Sequence, residues 1–314
     1  MSIEFFASSS RFVLLLALIF APALAASAQV PAERRLTIIS EPDAAVWIND
    51  VRFGTTGDDG RLEIRIKQAR RLTIRVRADG FKEATQAILA TRTGELKIPL
   101  TKTTDAAELA FQEAERQATQ DREKAEAAYR QALKARANYP AANVALARLL
   151  SEAREYEKAG AQIKAARRLA PANPELSAIE GRVLKESGRE DDAIVAFNRA
   201  IKEGTGFQPE AHTGLGLLYK DRAELVGAEG DFAAEDKYYA LAAKHLKEAA
   251  DQLYGSPDAP VVHQLLGLVY EKQREYRKAI AVYEDFLKLY PDSIEATAVR
   301  SFIVQLKKQI EDQQ

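Results

Sequence analysis

The octapeptides Ala125-Glu-Ala-Ala-Tyr129-Arg-Gln-Ala132, Ala159-Gly-Ala-Gln-Ile163-Lys-Ala-Ala166 and Ala193-Ile-Val-Ala-Phe197-Asn-Arg-Ala200 share one frame, small-x3-large-x2-small, and their leading alanines recur every 34 residues. Positions i, i+4 and i+7 fall on one face of an α-helix. Two later copies continue the frame, with Ala242, Leu246 and Ala249, then Ala279, Tyr283 and Phe286. Ala147, Gly181 and Gly267 each stand twelve residues before the leading alanine of their copy, and Pro171 and Pro291 fall five residues after the last marked position. A helical frame with this period predicts stacked helix–turn–helix units, each burying its apolar stripe against the next. The expected array runs over residues 105–292 as about five units. A closing helix follows over residues 293–314, with Gln305, Lys307, Lys308 and Gln309 beside Ile303, Leu306 and Ile310.

These positions resemble the tetratricopeptide repeat (TPR), a 34-residue helix pair. Gly216-Leu-Leu-Tyr219 and Gly267-Leu-Val-Tyr270 match the Gly-x2-Tyr element of its first helix, while Glu113 departs from the expected small residue. The resemblance implies an all-α superhelix whose first helices line a concave groove that holds a segment of a protein partner. Taking Pro140, Pro174, Pro209 and Pro260 as the first positions of these helices, the groove residues are Arg148 and Glu152, Arg182 and Lys185, Leu217 and Lys220, and Gln264 and Leu268. Arg148, Arg182, Lys185 and Lys220 form a ladder of cations suited to carboxylates on a partner. Pairing with their own acidic neighbours is the alternative. The Lys-Asn pattern with which chaperone-binding relatives clamp a terminal carboxylate is not found at these positions.

The fourth unit is longer. Gly216 lies 26 residues before Ala242, an excess of 14. Shared between two antiparallel helices, this adds about two turns to each and keeps their faces in register. The insertion, near residues 222–236, is expected to project as a hairpin reversing at Gly227 and Gly230.

Upstream, the apolar period changes to two. Leu62, Ile64 and Ile66 alternate with charged residues, Leu72, Ile74 and Val76 alternate with Arg71, Thr73, Arg75 and Arg77, and Leu96, Ile98 and Leu100 repeat the pattern. Gly54 to Gly60, Asp79-Gly80 and Thr93-Gly94 supply the turns. Residues 35–102 therefore read as a small antiparallel β-sandwich or barrel. The fold class is α+β in separate domains, with residues 29–34 as a linker. Ser40-Glu-Pro42-Asp43-Ala44-Ala45, the strand Val46-Trp-Ile-Asn-Asp50, Gly54-Thr55-Thr56 and Gly80-Phe81 resemble the PEGA domain of exported and surface-layer-associated proteins. Ala44 stands for the motif glycine and Thr56 for the turn proline. The wet strand face carries Arg61, Arg65, Lys67, Arg71, Arg75 and Arg77, which suits either an anionic envelope polymer or plain solvation. Trp47 has the opposite parity to Val46 and Ile48, so it faces a partner or packs at a domain junction.

Residues 1–28 read as an export signal. Arg11 precedes the apolar run Phe12–Phe20, and Ala-x-Ala sites end at Ala25 and Ala28. Cleavage is expected after Ala28, giving a periplasmic or secreted protein. An uncleaved inner-membrane anchor is the alternative, although the run falls short of the roughly 20 apolar residues that spanning needs.

Composition removes much chemistry. The 314 residues include no Cys, three His and a net charge of −1. Thiolate metal sites and cysteine nucleophiles are excluded, and near-neutrality argues against broad capture of nucleic acid. No G-x-S-x-G, P-loop or H-E-x-x-H occurs. His212 and His263 share the fourth position of equivalent helices, which reads as packing. The sequence thus predicts no enzyme, no cofactor and no metal site. The expected function is an exported protein–protein interaction scaffold, its helical groove gripping a periplasmic or envelope partner and its β-domain docking in the envelope. The alternative is a structural envelope component that binds peptidoglycan or surface polysaccharide through the β-domain. Self-association by end-to-end stacking stays open.

Overall fold

The structure, a computed structural model, describes residues 33–67 and 70–312. The expected signal segment and its cleavage point lie outside the described residues. The chain first lays down strands β1 (Arg34–Ile39), β2 (Ala45–Ile48), β3 (Val51–Thr55), β4 (Arg61–Ile66), β5 (Leu72–Arg77), β6 (Phe81–Lys82), β7 (Ala84–Ile88), β8 (Gly94–Lys97) and β9 (Thr101–Lys102). Period-two patterning turns Leu36, Ile38, Val46, Ile48, Ile64, Ile66, Leu72, Ile74, Val76 and Leu96 into one shared core. Three strands pair in the order β4-β1-β8 and four in the order β3-β2-β5-β7, while β6 and β9 form a short ribbon.

Two features refine the expected β-fold. The sheets stay open rather than closing into a barrel among the described residues. And β8 pairs with β1 in parallel, Ile38 opposite Leu96, whereas the other pairs are antiparallel. A parallel pair needs a long crossover, and the excursion of the chain through the second sheet between β1 and β8 supplies it.

Eleven helices follow among the described residues: α1 (Ala106–Gln117), α2 (Arg122–Ala135), α3 (Pro140–Glu152), α4 (Tyr156–Leu169), α5 (Pro174–Glu186), α6 (Glu190–Glu203), α7 (Pro209–Ala228), α8 (Phe232–Gln252), α9 (Ala259–Lys272), α10 (Tyr276–Leu289) and α11 (Ala296–Glu311). Consecutive helices pack as pairs, α1 with α2 through α9 with α10, and α11 closes on α10. This is a TPR-like solenoid. The large residue of each frame, Tyr129, Ile163, Phe197, Leu246 and Tyr283, is buried inside its pair. A Cβ on Gly216 would come within 2.6 Å of the Leu246 side chain, so the small residue sets how closely the two helices approach. Helix starts are fixed locally. Asp105, Asp121, Asn173 and Asp231 accept hydrogen bonds from first-turn N–H groups, and proline opens α3, α5, α7 and α9. The fourth pair carries the extra length, with 20 residues in α7 and 21 in α8.

The β-domain does not hang free of the solenoid. Arg77 of β5 reaches Glu115 of α1 at 3.2 Å. The Gly80 N–H donates to Gln112 Oε1 at 2.8 Å, and Gln112 Nε2 donates to the Phe81 carbonyl at 2.7 Å. Further along the array, in the loops after α8 and α6, Lys67 Nζ lies 3.9 Å from the centre of the Tyr254 ring and Arg70 donates to Thr205. Buried apolar side chains of both sheets and of α7–α9 belong to one continuous cluster.

Candidate functional site

With α1 and the loops after α6 and α8 holding the β-domain, its β2–β3 turn and β5 face the first helix of every pair. Between them lies a chamber of about 650 Å³. Its helical wall comes from Phe111 and Glu115 of α1, Val144 and Arg148 of α3, Glu175, Arg182 and Lys185 of α5, Glu210 and Leu217 of α7, and Val262 of α9. Trp47, Asp50, Arg75 and Arg77 form the opposite wall.

A chain of charges crosses this chamber. Arg148 donates to Glu210 at 2.7 Å and to Glu175 at 3.1 Å. Arg182 lies 3.6 Å from Glu210 and 3.7 Å from Glu152. Opposite, Arg75 pairs with Asp50 at 3.3 Å. The side chains of Arg148, Glu175 and Glu210 keep 28–32% of their surface open, and that surface faces the chamber, since protein surrounds all three. Burial raises the Glu175 carboxyl above the usual carboxylate range, Arg148 offsetting only part of the effect while Asp50 and Glu210 add to it. Burial pushes Glu210 the same way, but Arg148 and Arg182 together outweigh it and hold this carboxyl below its ordinary value. Taking several ions out of water is expensive unless each is paired, so the cluster is a costly thing to keep in a concave wall.

The residues expected in the groove divide between two places. Arg148, Arg182, Lys185 and Leu217 line the chamber, whereas Glu152, Lys220, Gln264 and Leu268 lie outside its lining. All four cations of the ladder have acidic neighbours, but not equally close. Arg148 and Lys220 are hydrogen-bonded, Lys220 to Glu224 at 2.9 Å and to Asp221 at 3.3 Å. Lys185 lies 3.3 Å from Asp221 and 3.7 Å from Glu186 without a hydrogen bond among the described residues. The Nε and Nη2 groups of Arg182 likewise have no hydrogen-bond partner there. Arg182 and Lys185 are therefore the loosely held cations of this wall.

Sequence reading missed the β-domain side of the chamber and the two carboxylates. Glu175 and Glu210 each follow the proline that opens a helix, about two turns before Arg182 and Leu217, so the signal was present in Pro174-Glu175 and Pro209-Glu210. Trp47 had a signal too, its inverted parity: the ring packs at the junction, 4.8 Å from the Arg75 guanidinium and 5.1 Å from that of Arg77. Arg77 itself is buried, with Nε and Nη2 bonded to Glu83 and its guanidinium 4.4 Å from the Phe111 ring centre. The row of wet-face arginines thus splits, with Arg75 and Arg77 turned to the helices and Arg61, Arg65 and Arg71 exposed. Away from the chamber, His212 meets His245 through their Nδ1 atoms at 3.1 Å, while His263 bonds the Ala259 carbonyl inside its own helix.

The tetratricopeptide repeat family matches residues 260–293, the segment of α9 and α10. Among solved structures, yeast Tom70 is similar with a TM-score of 0.52 at 15% identity, over 66% of this chain and 41% of the Tom70 chain. That likeness shows the fold. MamA gives a TM-score of 0.42 at 19% identity over 62% of this chain and 96% of its own. Pseudomonas aeruginosa pilF gives 0.47 at 18% identity over 66% and 91%. No curated protein sequence matches the chain. No described helix is long and apolar enough to cross a membrane.

Proposed function

We propose that this protein is a non-enzymatic scaffold that holds a short acidic segment, or the terminal carboxylate, of a partner protein in the chamber between the β-domain and the inner face of the solenoid. One observation carries the reading: two cations in the chamber wall, Arg182 and Lys185, have acidic neighbours but few hydrogen bonds, in a wall that also offers Trp47, Val144 and Leu217 for apolar contact. Carboxylates meet ammonium and guanidinium groups through charge-assisted hydrogen bonds, here through Lys185 Nζ and the Nη1 side of Arg182, since Arg182 Nε and Nη2 are closed to solvent, and burial against an aromatic ring adds affinity. The β-domain fills the space through which a long peptide would otherwise run, so the segment that fits is compact. Arg148 differs in role, since its two carboxylates already engage it and it braces the wall.

The export pattern of residues 11–28 supports placing this scaffold in the periplasm or outside the cell, and the PEGA-like sequence of the β-domain supports an envelope setting. The exposed Arg61, Arg65 and Arg71 would give the same molecule a second contact, with an anionic wall polymer; co-sedimentation of the full chain with purified cell wall tests it.

Trp47 is the single tryptophan of the chain and stands in the chamber wall, so its emission reports occupancy directly. Titration with a library of short peptides bearing acidic or free C-terminal ends should quench or shift that emission saturably. R182A/K185A should weaken the response at least tenfold while leaving the far-ultraviolet circular dichroism unchanged. Binding that this double variant leaves intact would remove the chamber from the proposal.

A further inference from the structure

Helices α7 and α8 have 20 and 21 residues where the helices of the other pairs have 12–14, so their turn stands about 10 Å beyond its neighbours at 1.5 Å per residue. The Asp231 N–H donates to the Val226 carbonyl at 3.0 Å and closes the reversal. Residues 223–236 carry five carboxylates, Glu224, Glu229, Asp231, Glu235 and Asp236, and no Lys or Arg. Among them stand Leu225 and Phe232, with 60% and 68% of their surface exposed. Glu229 and Asp236 are exposed and belong to no ion pair among the described residues. The tip is thus apolar at its centre and acidic around it, and its own chain covers neither large side chain.

A surface of the opposite kind lies between the second helices of two earlier pairs. Lys164, Arg167 and Arg168 of α4 and Arg199 of α6 rim a cleft of about 420 Å³, whose lining is completed by the buried Ile163 and by Glu180 of α5. Arg167 and Arg199 share Glu180 and approach Glu203 behind it at 3.8 and 3.9 Å. Lys164 and Arg168, one turn apart on α4, are exposed and belong to no ion pair among the described residues. Four cations therefore stand against two carboxylates. One turn from Arg199 on α6, the exposed Val195 gives the cleft an apolar shoulder. None of these residues lines the chamber.

The two surfaces do not meet within one copy. The tip lies at the edge of the solenoid where first helices turn into second ones, whereas Arg167, Arg168 and Arg199 occupy the last two turns of second helices, at the opposite edge. The acidic rim of the tip repels anionic lipid and wall polymer, and charge and apolar surface both match the cleft. We propose that the tip of one copy docks in the α4–α6 cleft of a second copy. Phe232 enters over Ile163 against the guanidinium groups of the rim, and Glu229 and Asp236 pair with Lys164 and Arg168. Each copy then offers one tip and one cleft, so the contact is head-to-tail and joins copies in a row.

The test is sedimentation velocity of the full chain across a hundredfold range of concentration. The mean mass should rise with concentration beyond that of two copies, and raised salt should reduce it. L225S/F232S, which blunts the tip, and K164E/R168E, which reverses the cleft, should each sediment as one copy where the unsubstituted protein associates. All four positions are exposed, so circular dichroism and the melting midpoint should stay unchanged. An equimolar mixture of the two variants retains one working tip and one working cleft, and should give a species of two copies and nothing larger. A protein that stays a single copy throughout, association that either variant leaves intact, or a mixture that fails to pair overturns the proposal.

Discussion

Glu175 and Glu210 hold the same place in successive helix pairs, directly after an opening proline, yet their surroundings treat them oppositely. The Glu175 charge is disfavoured by burial beyond what Arg148 returns, so E175Q at neutral pH should leave the denaturation midpoint unchanged or raise it. Glu210 is held below its ordinary value, so it contributes stability above about pH 4.5 that is lost as pH falls through its depressed folded value. E210Q should cost on the order of 3 kcal/mol at neutral pH, because it leaves Arg148 and Arg182 short of their shared partner, and should flatten the acid limb of a stability–pH profile. Two glycines make a second contrast at this scale. A Cβ on Gly267 would overlap the Tyr283 ring, whose hydroxyl donates to Glu271 at 2.6 Å, so G267A should destabilise by about 1–3 kcal/mol in urea titration. On α4, Gly160 faces open space, and G160A should stabilise by about 0.5–1 kcal/mol through helix propensity alone. The repeat frame marks Gly267 as a packing position and leaves Gly160 unmarked, so the sequence already separates these outcomes.

At the scale of elements, helices are legible because their caps and stripes are local. Asp105 accepts from the N–H groups of Ala107 and Glu108 and also pairs with Arg136, tying the start of α1 to the end of α2. D105A should therefore cost about 1–2 kcal/mol in chemical denaturation, toward the upper part of the range for a lost cap. The extra length of the fourth unit is legible for the same reason, since 14 residues preserve the facial register of both helices. Strand neighbours are less so. Alternation tells which side of β8 is dry, but it carries no information on which strand lies beside it or in which direction, and the parallel pairing with β1 follows from a crossover that only the assembled fold reveals. The meeting of His212 and His245 is of this kind too: their spacing follows no helical period, and it is the packing of α7 on α8 that brings the rings together.

The relation between the two halves of the molecule is where sequence reading stops, because docking is decided by side chains whose local patterns look like ordinary solvated positions. Arg77 sits in a row of alternating basic residues indistinguishable from Arg61 or Arg65, yet it is the one buried. Its guanidinium bonds Glu83 within the β-domain and Glu115 on α1, and Glu115 in turn accepts from the Tyr129 hydroxyl at 2.5 Å. One side chain thus links a strand to the core of the first helix pair. If that link belongs to the native core, the whole described unit unfolds together, and Trp47 emission and helical circular dichroism should trace one denaturation curve. R77M keeps the apolar contact with Phe111 but leaves Glu115 without its cation and Glu83 with Arg75 alone, at 4.0 Å, a change expected to cost about 3–5 kcal/mol. The loss should fall first on the junction: the Trp47 transition moves to lower denaturant and separates from the helical one, which keeps most of its midpoint. Separate transitions in the unsubstituted protein would show instead that the β-domain is only tethered, and the chamber between the two halves would then be a feature of one arrangement among several.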